Sequence, residues 1–293
     1  MTAGPLADGE AETPRFVDLH AHSTASDGAA TPSEFVSAAR QAGLAAVALT
    51  DHDTVAGVRS AVAEGERLGV RVIAGVELSA VDASGETHLL GLHLRDFDAL
   101  DARLAELRDM RRTRAERIVQ RLNALGVRVT MDDVLAQAAG GAIGRPHVAR
   151  ALIANGWAGD IRAAFDRYLA AGRPAYVAKE RLSIADAIAM VHRAAGLAVL
   201  AHPGSAATAE RVKGLAAVGL DGVEVRHPSH DEAEIARILS LTERLGLVPS
   251  GGSDWHGQSE GARALGSMRV PATWLTRQED RLTRARTRRE AVA

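Results

Sequence analysis

Short, unbroken hydrophobic runs alternate with amphipathic segments over the first hundred residues of the chain. The runs are typical of strands that are buried on both faces, and the amphipathic segments have the 3.6-residue period of surface helices. Their alternation favours a parallel sheet covered by helices. We predict strands over 16–19, 44–49, 70–76 and 87–94, and helices over 31–42 and 55–68, the first of which opens with a capping box, Thr31-Pro32-Ser33-Glu34.

The pattern becomes helical throughout between about residues 98 and 172, where arginine and alanine are frequent. Predicted helices there span 99–125, 131–139, 146–154 and 159–171. The alternation then resumes, with strands over 197–201, 222–225 and 247–250 and a helix over 231–245. We therefore predict a disordered tail (1–14), a discontinuous barrel (15–97 and 173–276), a helical insertion that caps the substrate (98–172) and a basic, solvated C-terminal helix (277–293).

Composition and charge argue against a general nucleic-acid-binding protein, a membrane protein and a cysteine-ligated metal site. The 293-residue chain has a net charge of -2, which gives no overall positive field to attract nucleic acid or a membrane. The N-terminal residues lack the apolar core of a signal peptide, and no hydrophobic run reaches membrane-spanning length. We expect a cytoplasmic protein with no membrane contact, no duplex DNA and no obligate protein partner. The absence of cysteine leaves His, Asp and Glu as metal ligands.

Histidines and acids recur at the predicted strand ends, where a parallel α/β barrel builds its active site. His20 and His22 in FVDLHAHS share one face of an extended strand and can chelate one ion. We expect Asp51 or Asp53 to orient an imidazole through its second nitrogen. Any one candidate alone is more often structural, but together they predict a multinuclear metal site. The remaining candidates are Asp27, His52, Glu77, His88, His202, Asp254 and His256.

Six motifs occur in order between residues 16 and 256: DLHAHSTASDG, ALTDHDT, GVELS, HLLG, LAVLAHPG and GGSDWHG. They resemble those of the PHP family (polymerase and histidinol phosphatase domains), metal-dependent phosphoesterases on a distorted (β/α)7 barrel. The resemblance implies an α/β fold of that kind, here with a small helical subdomain inserted. It also implies three metal positions: one among His20, His22, Glu77 and Asp254, a second in which Glu77 bridges to His88 and His202, and a third at Asp27, His52 and His256.

Within the family, the chain resembles a subgroup with a helical insertion that acts on 3′,5′-nucleoside bisphosphates and on the 5′ ends of short RNAs. The matching features are the insertion itself, IGRPHVARAL within it and RPAYV after it. This resemblance implies removal of a 3′-phosphate by metal-activated water at His20, His22, Glu77 and Asp254, and 5′–3′ exoribonuclease activity on short RNA. Two or three divalent ions are expected, with Mn²⁺ favoured by a mixture of His and Asp ligands and Zn²⁺ or Fe²⁺ as alternatives.

A bisphosphate substrate requires a site for the phosphate that is not cleaved. Arg145 and His147 lie at a predicted helix start, and both an arginine fork and a helix N-terminus bind phosphate. Lys179, His227 and His230 are the other candidates because they follow segments that lead to the barrel mouth. Two alternatives stay open: histidinol-phosphate phosphatase or another small-molecule PHP phosphatase, and a non-catalytic PHP module associated with a polymerase.

Overall fold

Eight strands form one sheet in the computed structural model, which describes residues 16–138, 143–178 and 182–290. The strands are β1 (Phe16–Asp18), β2 (Ala46–Leu49), β3 (Arg71–Asp82), β4 (Gly85–Leu92), β5 (Leu197–Leu200), β6 (Gly222–Arg226), β7 (Val248–Gly251) and β8 (Val270–Pro271). Their order is β7-β6-β5-β4-β3-β2-β1-β8, and the sheet curls into a nearly closed barrel. The predicted distorted barrel is thus confirmed, although β8 was not predicted, since two residues give no periodic signal.

Strand β4 runs against its neighbours, so the prediction of an all-parallel sheet is wrong at this place. β1, β2 and β3 are parallel, as are β5, β6 and β7, but β4 pairs antiparallel with both β3 and β5. The reason lies in the connection: only residues 83 and 84 separate β3 from β4. A parallel crossover needs about a dozen residues, whereas a two-residue loop makes a hairpin.

The barrel approaches closure where the end of β7 meets the end of β1. The backbone N–H of Leu19 donates a hydrogen bond to the carbonyl of Gly251, at 3.0 Å. A Cβ on the next residue, Gly252, would lie only 2.4 Å from the backbone nitrogen of His20. Glycine is therefore required there. This close approach brings Asp254 beside the histidines that follow β1.

Helices cover the outside of the barrel, and none of those described is long and apolar enough to cross a membrane. The predicted capping box is confirmed, because Glu34 N–H donates to Thr31 Oγ1 while Thr31 N–H donates to a Glu34 carboxylate oxygen. The helices of the described chain are α1 (Pro32–Gln41), α2 (Val58–Leu68), α3 (Phe97–Ala124), α4 (Met131–Ala138), α5 (Arg145–Ala154), α6 (Ile161–Ala164, continued by a π-helical turn, Phe165–Leu169), α7 (Ile184–Arg193), α8 (Ala209–Ala217), α9 (Glu232–Arg244) and α10 (Ala272–Glu290).

Helix α3 belongs to two hydrophobic clusters. Leu100 and Leu104, near its start, pack in the barrel core, whereas Leu122, near its end, packs with Val148 and Leu169 of the inserted helices. The insertion therefore has a core of its own, and α3 connects it to the barrel.

Helix α10 contains the segment that was expected to be solvated (277–293), but it begins earlier, at Ala272, and its first residues pack against the sheet. Trp274, Leu275 and Gln278 are buried. The Gln278 amide donates to the Pro249 carbonyl at 3.0 Å and its oxygen lies 3.1 Å from His93 Nε2. Within 277–293, the burial of Gln278 was not predicted because the segment is rich in arginine and the buried residue is a polar one that is held by hydrogen bonds.

Candidate metal centre and active site

The loops and strands at one end of the barrel bring together the nine metal ligands that the sequence predicts. His20 and His22 follow β1, and His52 follows β2. His202 follows β5, and Asp254 and His256 follow β7. Glu77 lies within β3 rather than at its end, because β3 continues into the hairpin with β4. The clustered side chains are His20, His22, Asp27, His52, Glu77, His88, His202, Asp254 and His256.

Four donor atoms form a compact set at the centre of this cluster. Nε2 of His20 and Nε2 of His22 lie 3.2 Å apart, and each is 3.2 Å from Oε2 of Glu77. Oδ1 of Asp254 lies 3.4 Å from the first nitrogen and 3.2 Å from the second. Ligands about 2.0 Å from a tetrahedral ion are about 3.3 Å from one another. The four donor atoms are therefore close enough to one another to hold one metal ion.

The second oxygen of Glu77 faces a different pair of histidines. Its Oε1 is 2.8 Å from His88 Nδ1 and 3.0 Å from His202 Nε2. A carboxylate placed in this way has the geometry to bridge two ions. Although His88 Nδ1 is close to Glu77, it makes no hydrogen bond of acceptable geometry in the described part of the chain. Buried polar atoms are rarely left in that state, and a metal ion would satisfy this nitrogen.

A third set of donors lies closer to solvent. His256 Nε2 is 3.3 Å and His52 Nε2 is 3.8 Å from the carboxylate of Asp27, whose side chain is 54% exposed. His256 donates its Nδ1 proton to the Asp254 carbonyl at 2.8 Å, which leaves Nε2 free as a ligand atom. His52 also approaches the central set, with Nδ1 3.3 Å from Glu77.

Glu224 orients His20, and sequence reasoning did not find it. Its Oε1 accepts the Nδ1 proton of His20 at 2.9 Å, which directs Nε2 into the cluster, and its Oε2 accepts from the backbone of His202 at 2.7 Å. Asp51 and Asp53, which were expected to orient an imidazole, instead bind other residues. Asp51 accepts hydrogen bonds from Ser23, and Asp53 accepts them from Ser79 and pairs with Arg111 at 2.6 Å. The sequence did contain a signal for Glu224, since an acid stands between the two valines of the predicted buried strand GVEV.

The carboxylates of the cluster keep their negative charge. Burial favours the neutral form of Glu77, but His20 and His52 outweigh it and hold the carboxyl pKa well below its usual range. The pKa of Asp254 is also lowered, since its hydrogen bonds to histidine overcome burial. Burial disfavours a charged His22, yet Asp254 and Glu77 raise its pKa to about 9. The site therefore holds buried negative charge among its donor atoms, and divalent cations would offset that charge directly.

Three residues at the mouth have left-handed backbone conformations. Asp53, His202 and Asp254 follow β2, β5 and β7 with φ of 51°, 27° and 51°. Such conformations are costly outside glycine and persist where surrounding contacts enforce them. The strand ends are therefore held in shapes that direct these side chains towards the site.

A cleft of about 610 Å³ separates the cluster from the insertion. On the insertion side, His147 Nδ1 accepts a hydrogen bond from the Gly144 N–H at 3.0 Å, so in the neutral ring Nε2 carries the proton. Burial and the nearby charge of Arg150 lower the His147 pKa, which favours that neutral form. The cleft residues used below are Asp27, His52, Ser79, His88, Arg111, His147 and Arg150.

The other predicted substrate contacts lie elsewhere. Arg145 is not among the residues that line the cleft, because its Nη1 donates to the Leu169 carbonyl at 3.3 Å and its guanidinium lies 5.5 Å from the Phe165 ring centre. His230 engages both ring nitrogens with backbone, at Val225 and Gly204.

His227 is only 3% exposed, and its Nε2 lies 3.4 Å from Asp254. It therefore packs against the cluster rather than facing the open cleft. Lys179 lies outside the described residues.

Comparisons with known proteins agree with this geometry. A sequence profile of the PHP domain matches residues 18–189. A Chromobacterium violaceum protein named 3′,5′-nucleoside bisphosphate phosphatase is 36% identical over 257 residues, covering 85% of this chain and 90% of the relative. The Escherichia coli 5′–3′ exoribonuclease Rnm is 36% identical over 247 residues, covering 82% of this chain and 84% of the relative.

A third relative has a different named activity. A phosphoribosyl 1,2-cyclic phosphate 1,2-diphosphodiesterase from Eggerthella lenta is 35% identical over 260 residues, covering 87% of this chain and 99% of the relative. Among solved structures, a candidate metal-dependent phosphoesterase from Bifidobacterium adolescentis superposes with a TM-score of 0.74 at 34% identity, covering 91% of this chain and 96% of that chain. The chemistry of phosphoester hydrolysis is common to these proteins, whereas their named substrates differ.

Proposed function

The chain belongs to the PHP domain family, as a metal-dependent phosphoester hydrolase, and we propose that it removes the 3′-phosphate of nucleoside 3′,5′-bisphosphates. We propose further that it shortens 5′-phosphorylated RNA from the 5′ end, and that its ions are two or three Mn²⁺. The supporting observation is the cleft itself, which has metal-donor side chains on one wall and His147 and Arg150 on the other.

The barrel wall supplies the machinery for hydrolysis. His20, His22, Glu77 and Asp254 would hold the central ion, while the second oxygen of Glu77 would share another ion with His88 and His202. Divalent ions in such sites lower the pKa of a water molecule and neutralise phosphoryl oxygens. Glu224 keeps His20 in the ligating orientation, and the reaction needs no serine or cysteine nucleophile.

The insertion wall supplies a site for the second phosphate. Arg150 lies one helical turn after His147 on α5, so both side chains lie on the same side of the helix. The guanidinium of Arg150 and the Nε2 proton of His147 can both donate to phosphate oxygens. We propose that this pair binds the 5′-phosphate while the 3′-phosphate lies at the metal cluster. It replaces the sequence-based proposal for Arg145, whose guanidinium is used inside the insertion.

The second-phosphate site separates this function from its alternatives. Histidinol phosphate carries a single phosphate and would leave Arg150 and His147 without a partner. A non-catalytic module has no requirement for a complete set of donors at the barrel mouth. The Eggerthella lenta relative makes a cyclic ribose phosphate the third substrate to test.

A phosphate-release assay with added Mn²⁺ tests the proposal. We would compare kcat/KM for 3′-phosphoadenosine 5′-phosphate, adenosine 5′-monophosphate, histidinol phosphate and phosphoribosyl 1,2-cyclic phosphate, with opening of the cyclic ester followed by chromatography of the products. His22→Ala, prepared identically, controls for contaminating phosphatases. The bisphosphate should be the best substrate, with product analysis showing loss of the 3′-phosphate. A higher kcat/KM for histidinol phosphate or for the cyclic phosphate would contradict the proposal.

A further inference from the structure

A second cavity adjoins the cleft that faces the donor cluster. It has a volume of about 300 Å³, and the side chains of Ser79 and Arg111 line both spaces. Ser79 lies two residues after Glu77 on β3 and therefore on the same face of the strand. Two residues of strand span about 7 Å, which is comparable to the separation of adjacent phosphates in a single-stranded nucleic acid. The cavity thus begins about one nucleotide away from the donor cluster.

One wall of this cavity is a face of α3 that carries arginines. Arg111, Arg114 and Arg117 are spaced three residues apart, which places them on one side of the helix. Asp53 neutralises Arg111. Within the described chain, neither Arg114 nor Arg117 forms an ion pair with a carboxylate, although Asp109 also lines the cavity.

Arg114 is a partly buried cation close to other guanidinium groups. Its Nε donates to the Val177 carbonyl at 2.9 Å, across the cavity from α3. Burial, followed by the charge of nearby Arg145, lowers the Arg114 pKa, although Tyr176 and Glu86 act in the opposite direction. A partly buried guanidinium in the neighbourhood of other guanidinium groups favours an anion as its partner. The remaining lining is largely apolar, from Leu107, Met110, Val177 and Leu182.

We propose that this cavity binds the second nucleotide of an RNA substrate, with Arg114 and Arg117 contacting the phosphate that follows the cleaved one and the apolar residues contacting the ribose or base. This inference rests on the proposed function and adds to it the place where the rest of the RNA lies. The cavity volume is at the lower end of the range for ligand sites, roughly 300 Å³, and a nucleotide is a small ligand.

The chemistry explains why one site can serve both substrates. In a 3′,5′-bisphosphate, hydrolysis breaks the bond between phosphorus and O3′: the water oxygen joins phosphorus, and a proton passes to O3′. In a 5′-phosphorylated RNA the same bond of the first nucleotide breaks, and the phosphate stays on the 5′ oxygen of the second nucleotide. The metal cluster and the 5′-phosphate site are thus unchanged between the two reactions. RNA requires only additional space beyond the scissile phosphate, which the arginine-lined cavity provides.

Two substrates and three variants of the full-length protein test the inference. The substrates are 3′-phosphoadenosine 5′-phosphate and a 5′-phosphorylated RNA trinucleotide. The variants are Arg114→Ala, Arg117→Ala and, as a matched control, Arg112→Ala, whose exposed guanidinium pairs with Glu116 on the same helix. The Arg117 side chain is exposed, so its loss should not disturb folding. Loss of Arg114 also removes a hydrogen bond to the Val177 carbonyl, so that variant can affect stability as well.

We expect Arg117→Ala to lower kcat/KM for the trinucleotide roughly ten- to a hundredfold while the bisphosphate reaction is unchanged, because a charge-assisted contact to phosphate is lost. The logarithmic salt dependence of trinucleotide kcat/KM should also become shallower by about 0.7, the value for one phosphate contact to a single strand. Arg112→Ala should change neither quantity.

Equal losses on both substrates, or no loss on the trinucleotide, would overturn the inference while leaving the proposed function in place. Direct binding of a phosphorothioate trinucleotide gives a readout that does not depend on turnover. If the wild-type protein hydrolysed neither substrate but bound the trinucleotide more tightly than Arg117→Ala does, the proposed function would fail and the cavity assignment would stand. Equal binding by both proteins would reject the cavity assignment.

Discussion

The barrel mouth and the insertion hold their polar residues in opposite ways. At the mouth, His20, His22 and Glu77 are buried, and further contacts such as that of Glu224 fix their orientation. The insertion instead presents an exposed guanidinium, that of Arg150, from helices that pack around a hydrophobic cluster of their own. In the proposed function the mouth carries out hydrolysis and the insertion binds the second phosphate. The relatives share phosphoester hydrolysis but have different named substrates.

The largest expected effect is at the mouth. His22→Ala removes one corner of the central donor set and should lower kcat/KM by orders of magnitude on every substrate, with circular dichroism unchanged. The matched control is His192→Ala, a histidine that pairs with Asp221 at the other end of the barrel, and it should retain activity. A variant at His22 with near-normal turnover would place the chemistry elsewhere.

Glu77→Gln tests the bridge between two donor sets. The substitution keeps the shape of the side chain but removes the negative charge that its two oxygens present to His20 and His22 on one side and to His88 and His202 on the other. Metal content, measured by elemental analysis after loading with Mn²⁺ and desalting, should fall by more than one ion per chain. Unchanged stoichiometry would show that Glu77 does not bridge.

Two arginines of the insertion, Arg150 and Arg145, should differ in effect: loss of the first should lower activity on one substrate, and loss of the second should lower stability. Arg150→Ala should lower kcat/KM for the bisphosphate roughly ten- to a hundredfold but leave p-nitrophenyl phosphate unaffected, since only the bisphosphate has a second phosphate to bind. Arg145→Ala should instead destabilise the fold by about 1 kcal/mol in urea unfolding, because its guanidinium tethers Leu169 and lies over aromatic rings. If Arg145→Ala gave the substrate-specific loss and Arg150→Ala did not, the two roles would be reversed.

The smallest effect concerns the end of the barrel away from the metal cluster. Burial opposes ionisation of Asp221, but hydrogen bonds from His192, Ala198 and Arg281 outweigh it and lower its pKa. A depressed folded-state pKa stabilises the fold above the unfolded value of about 3.9, and this contribution disappears as the pH falls through the folded value. Asp221→Asn should therefore lower the free energy of unfolding near neutral pH and reduce its loss on acidification. An acid limb of the same steepness in both proteins would contradict this assignment.

Much of the donor cluster could be predicted from sequence because histidines and acids that follow hydrophobic runs are conspicuous, and the ends of parallel strands converge. Glu224 was missed because it lies within a buried strand, where its side chain is visible only as an interruption of hydrophobicity. The direction of β4 was missed because it depends on a two-residue connection. On the insertion, arginines are frequent, and the choice between Arg145 and Arg150 depends on which guanidinium faces the cleft.

The central claim is that hydrolysis depends on cations held by the barrel mouth. The most direct test is to strip the protein with a chelator, measure 3′-phosphate release from 3′-phosphoadenosine 5′-phosphate, and add Mn²⁺ back in steps while bound metal is counted. The account predicts that stripped protein is inactive, and that activity returns in proportion to bound metal in the wild type but not in His22→Ala. Full activity of protein shown by elemental analysis to contain no metal would contradict it.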